Sequence, residues 1–511
     1  MDFHDTDTQT HVSSPKSLNE PIKLDIEHAV VEDDPRIWSN IKKNVVLFMI
    51  SGASVISGLC VNIQNPANAQ IQQQLHTSSG DISLSLSLFI LVQGQFPLIW
   101  SAISEIKGRK TVYLFSLVLF TLGSVIVAIS RTIGLMIGMR ILQSIGASAV
   151  ITIGAATLAD IYEPHERGTM MGVYYSAPLL GPSLGPIIGG ALTQGLGWRA
   201  VFWFLVILGG IIFLAFLFLF KDTFRNERSM TYQNVLKRRL QEQPSSGAKN
   251  DLRIISEKEL QVNVEGQTSS NDIEAQPTVI PASAIRNARL SIADVNPFPP
   301  YLSIISRKNN IAILIASGLI FAFSFSIAYT CARTLSMHYD YDALNTGLVL
   351  LAYGIGSIAG SMLGGRWSDR TLARLKAANG GISFPEMRLE STKVAMAGLP
   401  LSVIGYAWVC QERVNVAAIW IYASTLAYIV DANAGRSSTA VATNGSFRGL
   451  FAFVAAEIAV PLQDSIGDGG LYTLWAGLMV IVDCIILLVL YKGRKWREAS
   501  VERENQKLDG K

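Results

Sequence analysis

Charged residues are scarce in this chain of 511 residues, because Asp, Glu, Lys and Arg together make up only 16% of it. An average soluble domain contains about 25% of these residues. Half of the residues are hydrophobic, and the net charge at neutral pH is only +3. This composition excludes most classes of soluble protein, and the small net charge argues against a large nucleic-acid-binding surface. We therefore expect an integral membrane protein that does not bind nucleic acid.

Cysteine is also rare, and the four cysteines are far apart in sequence (Cys60, Cys331, Cys410 and Cys484). Their spacing matches neither a metal site nor the disulfide framework of a secreted protein. The sequence also lacks a Walker-type phosphate-binding motif and any catalytic constellation. We therefore predict no metal, no cofactor and no enzymatic activity. Without ATP as the energy source, a proton gradient is the expected one.

The first 35 residues lack an apolar stretch of the signal-peptide type and are polar with mixed charge. We expect residues 1–40 to form a disordered cytoplasmic tail. The longest polar segment, residues 221–308, has a similar composition and is predicted to be a mostly disordered cytoplasmic linker. Residues 493–511 are predicted to form a second cytoplasmic tail.

Long apolar stretches are what the sequence has in abundance. A helix needs roughly 20 apolar residues to cross a bilayer core about 30 Å thick. Twelve stretches come close to this length: 44–65, 82–104, 111–130, 132–158, 168–193, 198–220, 310–331, 344–365, 392–410, 414–432, 437–462 and 470–491. The prediction is an all-α integral membrane protein with two six-helix halves, over residues 41–220 and 309–492.

The distribution of Lys and Arg predicts the orientation of these helices. Basic residues cluster before the first span, after the second, after the eighth and after the twelfth, for example at Lys42, Lys107, Arg366 and Lys492. The opposite loops, 66–81 and 463–470, contain no Lys or Arg. Because basic loops stay in the cytoplasm, both termini are predicted to be cytoplasmic.

Arg140 lies in the middle of the fourth apolar stretch. A charged side chain at the centre of a membrane helix costs roughly 2.5–3.5 kcal/mol on insertion scales, and Arg does not lose its proton. We predict that Arg140, with Gln143 one turn along the same face, lines a polar pathway and influences proton coupling or attracts an anionic substrate. A structural Arg that hydrogen-bonds backbone carbonyls is the alternative.

Other polar side chains inside the apolar stretches are further candidates for the pathway, since intramembrane polar groups are often functional. The predicted substrate or coupling residues are Asn62, Gln64, Gln93, Gln95, Asn444 and Arg448, in addition to Arg140 and Gln143. For Arg448, a cavity-facing position and a structural ion pair with Glu457 are both open.

The two halves contain a related pattern. Residues 101–110 (SAISEIKGRK) follow the second span, and residues 365–370 (GRWSDR) follow the eighth. Each places a small residue four positions before a carboxylate, with basic residues after it. Matching loops in two sets of six spans are typical of transporters made of two repeats.

Three motifs carry a resemblance to a known family. Residues 101–110 resemble motif A of the major facilitator superfamily, with Ser101 for the usual Gly and Glu105 for the usual Asp. Residues 140–147 (RILQSIGA) resemble its motif B, and residues 181–190 (GPSLGPIIGG) its motif C. Together with residues 160–168 and 197–203, these motifs are similar to fungal twelve-span drug:proton antiporters of the quinidine-resistance type, and also to fungal citrate and itaconate exporters.

The resemblance implies roles for the gating residues. In the family, the motif A loop acts as a latch, which implies this role for Glu105, Gly108 and Arg109, and a matching role for Asp369. Motif C implies a helix that bends and slides, through Gly181, Pro182, Gly185, Pro186 and Gly189. Glycines at every fourth position also allow close helix contact in lipid.

These observations predict a proton-coupled transporter in the plasma membrane that exports a small-molecule drug, toxin or secondary metabolite. Protons and membrane lipid are its other expected partners. The alternative cargo is an organic acid anion such as itaconate or citrate, which two mid-span arginines would suit. A transporter-like sensor and an importer are rival functions: the polar segment 221–308 argues against the sensor, and motif C argues against the importer.

Overall fold

The structure is a computed structural model that describes residues 33–163, 180–226, 296–338, 341–381 and 437–509, parts of 170–178 and 384–403, and a few isolated positions. Most of the predicted spans 392–410 and 414–432, most of the predicted linker and residues 1–32 lie outside the described residues. The chain divides into two compact units. One contains Met1–Asp33 and Arg225–Ala288, and the other Asp34–Phe224 and Arg289–Lys511. In the first unit, Arg225 pairs with Asp33 at 3.0 Å.

The second unit contains the apolar helices, which we divide into two groups. The N-terminal group consists of α1 (Asn40–Asn62), α2 (Asn68–Leu75), α3 (Ser79–Gln95), α4 (Pro97–Lys107), α5 (Arg109–Ile129), α6 (Ile133–Ile161), α7 (Leu180–Leu196) and α8 (Trp198–Leu219). The C-terminal group consists of α9 (Phe298–Ser306), α10 (Lys308–His338), α11 (Ala343–Ala378), α12 (Glu386–Glu390) and α13 (Ser437–Asp509). Among the described residues, six helices are long and apolar enough to cross a membrane, or seven if α3 and α4 form one bent span.

Short polar signals define where these helices begin. Ser78 and Asp81 form a capping box at the start of α3: the Ser78 hydroxyl accepts from the Asp81 amide at 3.1 Å, and the Asp81 carboxylate accepts from the Ser78 amide at 3.2 Å. Thr132 caps α6 by accepting from the Leu135 amide. Gly197, with φ of +84°, permits the turn between α7 and α8, which a single residue separates.

Four predicted spans differ from the observed helices. The span over 82–104 was expected to be continuous, but it bends by 40° between α3 and α4, because Pro97 cannot donate the backbone hydrogen bond that a straight helix requires. The span over 168–193 is interrupted at Ala177 and Pro178, and α7 begins at Leu180. The last two spans are the two arms of α13, which are joined at Gly467 with φ of +69° rather than by a non-helical loop.

Three polar segments contain more helix than expected. The short helix α2 lies in the loop 66–81. The helix α9, over residues 298–306, lies at the end of the segment 221–308, which was predicted to be mostly disordered. Proline is compatible with the first turn of a helix, where its missing amide needs no partner. The predicted tail 493–511 continues α13 as far as Asp509.

The helix α8 has a continuous apolar face that no other described element covers. Ile207, Ile211, Leu214 and Phe218 recur at helical spacing and are exposed, Phe218 by 77%. The opposite face packs inward through Val201, Phe202 and Leu205, which are buried in a cluster with residues of α1, α3 and α6. An exposed apolar stripe beside a buried one is typical of a helix that faces lipid on one side.

Candidate functional site

The Arg140 side chain is fully buried inside the N-terminal group. Its Nη1 donates to the Cys60 carbonyl oxygen of α1 at 3.0 Å and to Gln143 Oε1 at 2.8 Å. The guanidinium carbon lies 4.3 Å from the centre of the Phe89 ring of α3, in a cation–π contact. On another side, the guanidinium carbon lies 5.8 Å from the centre of the Phe202 ring of α8. Arg140 thus contacts three helices besides its own: α1, α3 and α8.

Two donor atoms of Arg140, Nε and Nη2, have no hydrogen-bond partner in the described part of the chain. Nor does any Asp or Glu among those residues form a salt bridge with it. A buried charge without an opposite charge is costly, and an aromatic face with two oxygen acceptors offsets only part of that cost. The site is therefore electrostatically suited to a negative group. The carbonyl contact also fits the alternative of a structural Arg, and the pathway role of Arg140 stays a prediction.

Gln143 lies beside Arg140, as their spacing predicts, and extends its hydrogen-bond network. Gln143 Nε2 donates to the Ser124 hydroxyl of α5 at 2.7 Å, and Ser124 donates to the Phe120 carbonyl at 2.7 Å. The amide of Gln143 is therefore fixed in one orientation, with its oxygen toward Arg140.

The structure places the remaining amides of the N-terminal group in different positions. Gln93 Nε2 donates to the Ser57 hydroxyl of α1 at 3.0 Å, one turn before the Cys60 carbonyl that Arg140 contacts. Asn62 and Gln64 are bonded within their own segment, to the Gly58 carbonyl at 3.3 Å and to Asn68 at 3.1 Å. Gln93 is therefore part of the Arg140 surroundings, whereas Asn62 and Gln64 are not bonded to it.

Gln95 joins the two helix groups. Gln95 Nε2 donates to the Ser446 carbonyl of α13 at 3.0 Å, and Gln95 Oε1 accepts from the Ser446 hydroxyl at 2.6 Å. The neighbouring Asn444 is 1% exposed, and neither polar atom of its side chain has a hydrogen-bond partner in the described part of the chain. Arg448, one turn further along, lies over the Phe321 ring of α10 at 3.8 Å.

The described salt bridges do not include the suggested pair of Arg448 and Glu457. Positions 448 and 457 are separated by about two and a half turns of helix, which places the two side chains on opposite faces. Glu457 accepts a hydrogen bond from Ser87 of α3 instead.

The contacts between the two helix groups, α3 with α13 and α7 with α11, are together called the seam, and they include several small residues. On one side, Gly94 of α3 meets Gly449 of α13 so closely that a Cβ added at Gly94 would lie 2.8 Å from the Gly449 Cα. On the other side, a Cβ added at Gly347 of α11 would lie 2.4 Å from the Pro186 carbonyl oxygen of α7. Backbone-to-backbone approaches of this kind require glycine.

Polar side chains complete the seam. Gln194 at the end of α7 donates to Asp342 at the start of α11 at 3.2 Å. The Ser83 hydroxyl of α3 donates to the Ala456 carbonyl of α13 at 3.0 Å. These two contacts lie near the N-termini of α3 and α11. From there the seam extends along α3 as far as Gln95.

The predicted latch residues form a charge cluster at the other end of the N-terminal group. Arg109 Nη2 pairs with Glu105 at 3.3 Å, and Arg109 Nε pairs with Asp160 of α6 at 3.2 Å. Gly108 has φ of +81°, and a Cβ there would lie 2.2 Å from an Asp222 carboxylate oxygen. The same carboxylate accepts from the Arg109 and Lys110 amides and so caps α5.

Asp160 and Asp222 are the residues of this cluster that sequence reasoning missed. They lie 51 and 113 positions from Arg109, so local spacing could not connect them. The available signal was the position of each carboxylate, since Asp160 lies at the end of an apolar helix and Asp222 just beyond one. Thr223 joins them by donating to Asp160 at 3.1 Å.

Asp369, the predicted counterpart of Glu105, pairs with Arg388 at 2.9 Å and is largely exposed. The more buried pair of this region is formed by Glu386 and Arg497, which are joined by two hydrogen bonds of 3.1 and 3.2 Å. Sequence reasoning did not select either residue. Each of these ion pairs among the described residues therefore lies within one helix group.

The glycine face of motif C packs against α1. A Cβ at Gly181 would lie 2.2 Å from the Gly58 carbonyl carbon, and a Cβ at Gly189 would lie 2.0 Å from the Ile63 carbonyl oxygen. At Gly185, the nearest atom would be the Ile63 nitrogen at 3.2 Å. Pro186 faces α11, as described for the seam, while the side chain of Pro182 lies outside the described residues. This helix therefore contacts both groups.

Similar proteins agree with this arrangement. Residues 50–456 match the sequence profile of the Major Facilitator Superfamily. The MFS antiporter QDR3 of Candida albicans is 27% identical over 564 aligned positions, which cover 91% of this chain and 80% of that protein. Citrate exporter 1 of Aspergillus niger is 25% identical, covering 93% and 90% of the two chains. Quinidine resistance protein 3 of Saccharomyces cerevisiae is 24% identical, covering 91% and 84%.

The fold is similar to the crystal structure of the human organic anion transporter MFSD10 (TETRAN). The TM-score is 0.54 at 14% identity, over 87% of this chain and 99% of that chain. The chain belongs to the Major Facilitator Superfamily and is a multi-pass membrane transporter, not an enzyme.

Proposed function

We propose that this protein is a proton-coupled secondary transporter that exports a small molecule, such as a drug, toxin or secondary metabolite, by alternating access. The seam is the observation that carries the proposal. It joins the two helix groups through glycine contacts and a few side-chain hydrogen bonds, such as that from Gln194 to Asp342. Contacts of this kind can separate without unfolding either group.

The proposed setting is the plasma membrane, with both termini in the cytoplasm, halves over 41–220 and 309–492, and the linker 221–308 between them. The positions of Lys and Arg support this orientation, and the exposed apolar face of α8 supports contact with lipid. In this orientation the seam closes the outer side of the transporter, while the Arg109 cluster lies on the cytoplasmic side.

Proton coupling is supported by the surroundings of Arg140. A buried guanidinium with two unbonded donors favours the negative form of any carboxylate that approaches it. It can therefore link proton release to the arrival of a ligand. Two of the similar proteins carry the names antiporter and quinidine resistance protein, which favours an exported drug or metabolite.

One observation favours a second cargo, an organic acid anion. Arg140 has no carboxylate partner among the described residues, so its charge could be met by an anionic substrate. Citrate exporter 1 of Aspergillus niger is among the similar proteins. Drug export and acid export use the same seam, and they differ in the charge of the substrate that reaches Arg140.

The test is transport by the purified full-length protein in proteoliposomes with an imposed pH gradient. We expect uptake of radiolabelled quinidine, or of citrate for the second cargo, when the interior is acidic, and loss of uptake when a protonophore collapses the gradient. Liposomes without protein serve as the inactive control. Uptake that is unaffected by the protonophore would contradict proton coupling.

A further inference from the structure

Glu457 is the one described carboxylate whose side chain bonds across the seam to a hydroxyl of the other group. It lies on α13 and is partly buried, and its carboxyl group is hydrogen-bonded to the hydroxyl of Ser87 of α3, which is fully buried. Among the residues that the structure describes, no Lys, Arg or His forms a salt bridge with Glu457. The carboxylate therefore meets a neutral partner in a contact that closes only when the two groups come together.

The hydrogen atoms at this contact can be counted. The Ser87 hydroxyl has a single hydrogen to donate. Two acceptors lie within its reach, the Leu84 carbonyl oxygen at 3.1 Å and Glu457 Oε1. If Glu457 is ionised, one of these two oxygen contacts has no hydrogen. If Glu457 carries a proton, its O–H donates to Ser87, and Ser87 donates to Leu84, so that each contact has one hydrogen.

The charged groups on the neighbouring helices do not neutralise the negative charge that an ionised Glu457 would carry. On α10, Arg333 pairs with Asp464 at 2.8 Å and donates to Gln463 at 2.9 Å, so its charge is balanced within the C-terminal group. Tyr329 of α10 interacts with Ser83, Arg333 and Glu457. This phenol is neutral near pH 7, as its ordinary pKa is about 10.

The other acidic groups near this end of the seam have partners of their own. Asp81 of α3 is held by Thr77 and Ser78 at the helix cap. On α13, Asp468 accepts from Thr334 at 3.0 Å and from Gln463 at 2.6 Å. Asp342, the other carboxylate that bonds across the seam, accepts from the Gln194 amide and from the Asn345 backbone amide at the start of α11. Glu457 thus remains as the carboxylate that bonds across the seam to a hydroxyl group with no described cation beside it.

We propose that Glu457 is the proton-carrying carboxylate of the transporter, and that closing the seam requires its protonation. This inference rests on the proposed function and identifies the proton site within it. When the seam is open to the outside, the Glu457 carboxylate takes a proton from hydronium and leaves water. Closure then buries a neutral carboxylic acid against Ser87, and transfer of the proton to water on the cytoplasmic side regenerates the carboxylate.

The direction of the coupling follows from the cost of burying charge. Moving an ionised carboxylate from water into a helix contact is unfavourable, whereas a hydrogen-bonded neutral acid avoids most of that cost. The closed seam therefore binds one more proton than the open seam does. By linkage, acidification favours the closed seam, and alkaline pH favours opening.

The experiment measures seam closure without any transported substrate. Spin labels are attached at Gln194→Cys and Asp342→Cys, on a chain whose four native cysteines are replaced by alanine. Spin–spin coupling in proteoliposomes is recorded from mildly acidic to mildly alkaline pH. We expect the coupling to be strong at acidic pH and to weaken several-fold as the pH rises. Glu457→Gln should keep it strong at all pH values, because the amide remains neutral.

Two further variants make the result specific. Asp464→Asn removes a nearby carboxylate that does not touch Ser87. Because it also removes the ion-pair partner of Arg333, it should at most shift the pH midpoint, and it should keep the pH-dependent transition. Ser87→Ala removes the partner of Glu457 but not the titrating group, so it should shift the pH midpoint of closure and keep the transition. This variant tests the site even if Glu457→Gln does not fold.

A pH dependence that persists unchanged in Glu457→Gln would overturn the assignment, as would a parent protein whose seam does not respond to pH. Neither result decides whether transport is driven by protons, because that is measured separately by gradient-driven uptake in the parent protein. If uptake depends on the gradient but Glu457→Gln still opens with rising pH, another carboxylate carries the proton.

Discussion

Arg140 shows how a permanent charge is accommodated within a bundle of apolar helices. Its guanidinium uses one nitrogen for two oxygen acceptors and lies against the Phe89 face, while Nε and Nη2 have no described partner. This arrangement uses the planar shape of Arg, which Lys lacks. The residue therefore combines a structural contact to α1 with donors that remain available to a ligand.

Replacing Arg140 with Gln should reduce transport much more than it reduces stability. The change removes a charge-assisted interaction worth about 1.5–3 kcal/mol, which corresponds to roughly a 10- to 100-fold loss of transport rate if it is made in the rate-limiting state. It also removes a buried charge, so the thermal midpoint in detergent should change little. Uptake and thermal unfolding are measured on the same preparation.

Arg131→Gln is the matched control for this change, because Arg131 is exposed in the turn before α6. It should leave both transport and stability unchanged. If Arg140→Gln retained full transport, Arg140 would have only the structural role.

Replacing the single residue Gly108 should reduce the stability of the protein. Alanine there must adopt a positive φ, and its Cβ would overlap the Asp222 carboxylate that caps α5. We expect Gly108→Ala to cost about 1–3 kcal/mol in folding free energy, seen as a lower thermal midpoint. Gly134→Ala in α6, where a Cβ would meet no atom within 4 Å, should be neutral or slightly stabilising. Equal midpoints for the two variants would contradict this reading of Gly108.

At the residue scale, sequence reasoning succeeded where partners lie one helical turn apart. The proximity of Arg140 and Gln143 follows from the helical repeat alone. Asp160 and Asp222 could not be assigned to Arg109, because their contacts depend on how three separate helices pack. The same is true of Glu457, whose partner Ser87 is 370 positions away.

The helix α7 is the element whose packing most depends on glycine. Its Gly181 lies against the backbone of Gly58 in α1, where a Cβ would be 2.2 Å from the nearest atom. Gly181→Ala should therefore separate the two helices. It should lower the free energy of unfolding by about 1–3 kcal/mol, the usual cost of overpacking. The measurement is thermal unfolding in detergent, followed by size-exclusion chromatography.

Gly195, near the end of the same helix, provides the control, because nothing lies within 4 Å of its Cβ position. Gly195→Ala should retain the parent midpoint. A comparable loss of stability in both variants would mean that the helix is sensitive to any substitution of glycine, irrespective of its contact with α1.

At the scale of elements, the length of the apolar stretches predicted the middle of most helices. It could not predict where the helices break. The bend at Pro97 and the kink at Gly467 depend on single residues within otherwise apolar stretches. The helix α9 was missed because its nine residues are too few for a membrane span and follow a long polar segment. Composition describes such a segment as a whole, whereas helix formation depends on tertiary contacts.

The seam gives a prediction for the whole molecule. A bifunctional thiol reagent that joins Gln194→Cys to Asp342→Cys should abolish transport, because the two helix groups can then no longer separate at this end. A cleavable reagent should allow transport to recover after reduction. The measurement is proteoliposome uptake before and after cross-linking, on the chain without native cysteines.

The control cross-link joins two positions within the N-terminal group. Arg199 donates to Gln74 at 3.0 Å, so cysteines at these positions should react equally well. Because this group moves as one body in the proposed mechanism, the control cross-link should leave transport nearly unchanged. Full activity with Gln194 and Asp342 joined would exclude alternating access through this seam.

The existence of two related halves was visible in the sequence, but the surface by which they meet was not. Gly94 and Gly449 are ordinary glycines in apolar stretches, and only the folded chain brings their backbones together. Which side of a transporter is closed is a property of one conformation. A sequence that supports at least two conformations cannot specify one of them.

The short helix α9 is connected to the seam through hydroxyl groups. Ser446 donates its single hydrogen to Gln95, so the Tyr301 hydroxyl, 3.3 Å from Ser446 Oγ, must be the donor of the pair. The three side chains form a chain of hydrogen bonds in which Tyr301 donates to Ser446 and Ser446 donates to Gln95. It starts at the end of the polar segment and finishes in the N-terminal group. When the seam opens at Gln95, the Ser446 hydrogen loses its acceptor, and the change reaches Tyr301 of α9.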